Sequence, residues 1–119
     1  MINRDIIYSM FDGRCAYCGK MLDKHWHVDH VAPIYRGWNN KPDHAGEDRP
    51  DNLFPACPRC NLRKTVLSVE DFRREIVAQV ERLRRDSAAF RLAEDFGLVR
   101  AMGYPVVFWF EKDEAVKEE

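Results

Sequence analysis

Apolar positions recur at two spacings along this chain, and the spacing changes near glycines and prolines. Ile6, Ile7, Met10 and Phe11 share one helical face, with Asn3 before them as a cap and Gly13 after them as a stop, so a short helix is predicted over 3–12. The run His25-Trp26-His27-Val28-Asp29-His30-Val31 reads as a strand that Pro33 ends. Its alternation puts Trp26, Val28 and His30 on one face, and His25, His27 and Asp29 on the other. Leu53-Phe54-Pro55-Ala56 predicts a short returning strand, and a helix is expected over 58–64, because proline is tolerated in a first helical turn. Ser68-Val69-Glu70-Asp71 opens a second helix in the manner of a capping box, running to about Arg85 with an apolar stripe of Val69, Phe72, Ile76, Val80 and Leu83. Ser87 caps a third helix over 88–96, and Gly97 stops it. The aromatic run 106–110 predicts a buried strand, and the charged stretch 111–119 a frayed tail. Between the two first strands lies a polar loop, 36–51, of a length uncommon unless functional.

These elements describe an α+β fold in a single domain spanning 1–119. A chain of 119 residues buries a modest core, and small domains often need a staple. There is no internal repeat or low-complexity tract, and no apolar run long enough to span a membrane. The first residues lack the basic-then-apolar pattern of a signal peptide, so the chain is expected in the cytoplasm.

The four cysteines fall in two close pairs, Cys15-x-x-Cys18 and Cys57-x-x-Cys60. Such pairs form either two disulfides or one zinc site, and in a reducing cytoplasm they usually hold metal. Four thiolates complete a tetrahedron and leave no position for water or substrate, so the expected zinc is structural. The 38 residues between Cys18 and Cys57 exceed the spacing of a simple zinc ribbon and must form an insert. Cysteines alone are equally compatible with a zinc-stapled binding module.

Net charge of -1 argues against generic polyanion binding, but the distribution is uneven. Residues 61–100 carry nine basic and seven acidic side chains, and residues 101–119 carry two and five. Arg82, Arg84 and Arg85 read as a solvated helix face, whereas Arg59, Arg63 and Lys64 follow the second cysteine pair and are candidates for phosphate contact.

Taken in order, Cys15-x-x-Cys18, Asp29-His30, Asn52-Leu53 and Cys57-x-x-Cys60-Asn61-x-x-Lys64 resemble the HNH endonucleases of the ββα-metal (His-Me finger) superfamily. Each piece alone is weak, and the ordered combination is specific. More loosely, Glu70-Asp71-Phe72-Arg73 and Phe108-Trp109-Phe110-Glu111 look like small phage and bacterial members. The resemblance implies a ββα-metal core over 15–66 stapled by a four-cysteine zinc site, with a C-terminal extension of helices and a short strand over 68–110. By position, His30 matches the general base that takes a proton from the attacking water, a role that suits an imidazole. Asp29 and Asn61 match the ligands of one divalent metal. Asn52 matches the asparagine that braces the loop between the strands.

Oxygen donors at Asp29 and Asn61 suit Mg²⁺ or Mn²⁺. The implied activity is hydrolysis of DNA phosphodiester bonds, by nicking or double-strand cutting, to 5′-phosphate and 3′-hydroxyl ends. The implied partner is DNA, and small members also work beside phage packaging or restriction machinery. The chain departs from the family's name-giving pattern by carrying Asn61 in place of the last histidine, and its loop lacks the usual double glycine. Each residue also has a plainer reading: Asp29-His30 as a hydrogen-bonded pair, Asn61 as a helix cap, Asn52 as a turn residue. A non-catalytic zinc module that binds nucleic acid or protein is the alternative function. His25, His27 and His44 are extra to the motif; a surface position is expected for His27, though it shares a strand face with Asp29. Trp38 in the loop either stacks on a base or packs.

Overall fold

The computed structural model describes residues 3–32 and 49–112. The predicted strand end at Pro33, most of the polar loop with Trp38 and His44, and most of the predicted tail lie outside the described residues. The chain divides into two compact units, Met1–Val69 with Val107–Glu119, and Glu70–Val106.

The first unit begins with α1, Arg4–Ser9, where the Asn3 side chain accepts from the amides of Asp5 and Ile6. Its end is a left-handed turn through Asp12 and Gly13, and the Gly13 amide donates to Tyr8. Strand β1, His27–His30, pairs antiparallel with β2, Leu53–Ala56, setting His30 opposite Leu53 and Asp29 opposite Phe54. The strand starts later than the sequence predicts, because the Asp23 carboxylate takes the His25 amide and its carbonyl takes that of Trp26, folding 23–26 into a turn. Trp26 there packs against Tyr8 at 5.6 Å, under the Arg4 guanidinium. Helix α2, Pro58–Lys64, follows β2 directly, completing a β-β-α order.

Burial on β1 reverses the hydropathy pattern. Asp29 is the buried residue of the strand, while Val28 is only half-buried. The face that carries His27 and Asp29 is the one turned toward α2 side chains, as the contacts of Asn61 and Lys64 show.

The predicted strand over 106–110 is not formed. Among the described residues the sheet has only β1 and β2, and a helical turn starts at Trp109. The Phe108 amide donates to the Glu111 carboxylate at 2.8 Å, capping that turn. The Trp109 and Phe110 amides donate to the carbonyls of Tyr17 and Ala16, at 3.0 and 2.9 Å. The donors a strand would offer a neighbour are therefore spent on the first cysteine knuckle. Phe108 and Phe110 meet Tyr17 there, ring centroids 5.3 and 6.1 Å away, and Phe54 closes the aromatic cluster at 5.0 Å from Phe110.

In the second unit, α3 (Val69–Asp86) and α4 (Ala88–Asp95) form where caps and spacing predict. The Ser87 hydroxyl accepts from the Phe90 amide at 3.1 Å, and Gly97 adopts φ 73° to end α4. Of the predicted α3 stripe Phe72 is buried, whereas Leu83 is exposed. The basic groups of α3 pair with nearby acids, Arg82 with Glu75, Arg84 with Glu94 and Arg85 with Asp86, in keeping with a solvated face.

Candidate active site and zinc centre

The first cysteine knuckle is a tight turn. Gly19 takes φ 78°, its amide donates to the Cys15 carbonyl, and the Cys15 amide donates to Lys20. A Cβ at Gly19 would lie 2.7 Å from the Trp109 ring, so the ring's close approach and the positive φ both demand glycine. The second knuckle caps α2, where the Cys57 sulfur accepts from the Cys60 amide.

The knuckles bring all four sulfurs within 4.8 Å of one another, and Cys18 and Cys57 stand 3.8 Å apart. A zinc–sulfur bond of about 2.3 Å places tetrahedral sulfurs about 3.8 Å apart, so the donor set fits zinc. All four are free thiols. A hydrogen bond from Cys60 lowers the Cys15 thiol to about 4, while Cys60 itself is pushed far up by the same bond and Cys18 rises to about 11 through burial. Zinc binds thiolates, so a bound ion would displace the protons that remain on the cluster. A cavity of about 410 Å³ lies beside it, bordered by Lys20, Pro58 and Arg59, on the cysteine cluster rather than at Asp29.

Asp29 and His30 close β1, where Asp29 is buried and His30 half-buried. Asp29 is 3% exposed. The Tyr17 hydroxyl donates to its Oδ2 at 2.5 Å, and the Lys64 ammonium sits 3.4 Å from Oδ2 and 3.5 Å from Oδ1. Lys64 Nζ also donates to the His30 carbonyl at 2.9 Å. Burial pushes the Asp29 carboxyl up and the Lys64 ammonium down, and their mutual attraction opposes both shifts. The Tyr17 hydroxyl is raised by burial and by the adjacent carboxylate.

Lys64, expected among the phosphate-contacting cations, has no exposed surface here and pairs with Asp29. Arg59 and Arg63 are exposed, as that reading requires.

Asn61 lies inside α2, with Cys57 as the cap, which removes the helix-cap reading. Its amide nitrogen is 2.8 Å from His27 Nδ1. His27 is half-buried beside Asn61, not the free surface residue expected. A signal for this was present: His27 and Asp29 share a strand face by period two, and Asn61 and Lys64 share a helix face by their i, i+3 spacing. Tyr17 had no such signal; it was only one of the two residues between the first pair of cysteines.

Asn52 has the contacts of a brace. Its Oδ1 accepts from the Ala32 amide at 2.8 Å, its Nδ2 donates to the Ala32 carbonyl at 3.0 Å, and its own carbonyl takes the Val31 amide. The turn Pro50–Asn52 thereby clamps the chain just as it leaves His30.

Set against known families, residues 15–66 match the family model described as HNH endonuclease. No curated protein and no solved structure matches the chain.

Proposed function

We propose that the protein, whose residues 15–66 match the HNH endonuclease family model, is a metal-dependent endonuclease that hydrolyses phosphodiester bonds in DNA. The observation that carries this reading is the end of β1, where Asn52 braces the chain after His30 and the Lys64 ammonium of α2 donates to the His30 carbonyl. His30 takes the proton of the attacking water. Asp29 and Asn61 hold one divalent cation, with the His27 ring beside Asn61 as a nitrogen donor. A cation so held supplies charge stabilisation at the scissile phosphate and the leaving oxygen. For an ion to bind, Asn61 would turn its Oδ1 in place of the Nδ2 that now meets His27 Nδ1, and the Lys64 ammonium would yield part of the Asp29 carboxylate. A nitrogen donor softens the set and favours Mn²⁺ over Mg²⁺. Arg59 and Arg63 contact phosphates, and these contacts position DNA without reading its bases.

The test is nicking of supercoiled plasmid by the zinc-loaded protein with Mg²⁺, Mn²⁺ or EDTA, beside His30→Ala. Nicking that needs the metal, runs faster with Mn²⁺ and disappears in the variant is expected. Cleavage that persists in a clean preparation of His30→Ala rules His30 out as the base.

One observation favours a second reading, a zinc-stapled module that binds nucleic acid or protein: Asp29 is closed over by Tyr17 and Lys64. A wild-type protein that folds, holds zinc, binds DNA and never cuts establishes that reading instead. Work beside a phage packaging or restriction complex fits either activity.

A further inference from the structure

We propose that Tyr17 and Lys64 are positioning residues for the nuclease site, and that through them the zinc knuckle sets the orientation of the catalytic strand end. The proposal rests on the endonuclease reading above and deepens it.

Asp29 and His30 are adjacent on the chain, and each is held by a buried group from elsewhere. Tyr17 comes from inside the Cys15-x-x-Cys18 turn, where its amide donates to the Cys15 sulfur at 3.4 Å. Its carbonyl takes the Trp109 amide, and its ring is boxed by Phe54, Phe108 and Phe110. With both backbone and ring held, the hydroxyl donates to Asp29 Oδ2. The second cysteine knuckle supplies the other anchor, since Lys64 ends the helix that Cys57 caps.

The Lys64 ammonium bridges the Asp29 carboxylate and the His30 carbonyl. One cation therefore fixes a side chain at one residue and the backbone at the next. Both knuckles thus reach the strand end, one through a hydroxyl and one through an ammonium. Lys64 has no exposed surface, so a phosphate contact does not account for its charge. Tyr17 is 2% exposed, so neither does contact with substrate account for its hydroxyl.

The experiment compares full-length, zinc-loaded wild type with Tyr17→Phe and Lys64→Met. It reads zinc stoichiometry, DNA affinity against salt, kcat and KM for plasmid nicking, and Mn²⁺ affinity by electron paramagnetic resonance. Tyr17→Phe keeps the ring and removes only the hydroxyl. It is expected to retain one zinc and bind DNA within about twofold of wild type, while kcat falls about tenfold or more at unchanged KM. Mn²⁺ affinity is expected to change by about threefold or more in both variants, rising in Lys64→Met because a competing positive charge is gone. Should Lys64→Met not fold, Tyr17→Phe decides alone.

A kcat and Mn²⁺ affinity in Tyr17→Phe that both match wild type overturn the proposal. So does a Lys64→Met protein that loses only DNA affinity and salt dependence, which would return Lys64 to the phosphates. A wild type that never cuts defeats the nuclease reading separately, and Mn²⁺ affinity then still decides whether Tyr17 and Lys64 govern Asp29.

Discussion

A lysine with no exposed surface pays for its burial through its partners. The Lys64 ammonium has the Asp29 carboxylate and the His30 carbonyl, and Asp29 has Tyr17 as well. Removing one member strands the other as an uncompensated buried charge, so Lys64→Met is expected to lower stability by about 3–5 kcal/mol. Urea denaturation of the zinc-loaded protein measures it, and a loss below about 1 kcal/mol would mean that Asp29 simply takes up a proton. Arg63, exposed and one residue before Lys64, is expected to act differently. Arg63→Ala leaves stability alone and lowers the slope of log affinity against log salt by about one; an unchanged slope removes Arg63 from the interface. The sequence presents the two cations identically, as neighbours after a cysteine pair. What separates them is depth, and the depth of Lys64 is decided by Tyr17 and Asp29, far away along the chain. No local period encodes that. His27 is a nearer miss, for its shared face with Asp29 was readable, and only the crossing of β1 with α2 was needed to seat it beside Asn61.

At the level of elements, whatever depends on nearest neighbours was legible. The Asn3 and Ser87 caps, the Gly97 stop, the proline in the first turn of α2 and the returning strand all form as read. The segment 106–110 was misread because a buried strand and a packed helical turn present the same run of aromatics. The choice between them rests on which acceptors lie opposite, here the carbonyls of Ala16 and Tyr17. That docking makes Gly19 testable, since it sits under the Trp109 ring at a positive φ. Gly19→Ala is expected to cost more than about 1 kcal/mol, read as a lower thermal midpoint with zinc bound. A midpoint equal to wild type would show that the Trp109 segment moves away freely.

At the scale of the whole molecule, a zinc held by the four cysteines would carry more of the first unit's fold than the small sheet does. Two strands of four residues each are marginal alone, whereas zinc in such domains contributes on the order of 10 kcal/mol. Stripping the metal with a strong chelator is expected to abolish the near-ultraviolet dichroism of the aromatic cluster, and restoring zinc to recover it. A zinc-free protein with an unaltered spectrum would leave the cysteines without that role. The aromatic cluster itself joins distant parts of the chain: Phe108 and Phe110 complete the unit that Cys15 and Tyr17 begin, and Glu70–Val106 lies between them in the sequence. Chains are made from the N-terminus at about 5–20 residues per second, and domains tend to fold as their last residues emerge. On the ribosome, then, both cysteine pairs and His30 appear well before Phe108. The nascent segment 15–66 stays without Phe108 and Phe110 until the intervening helices have been translated, and its completion is timed by residues outside the HNH-matching segment.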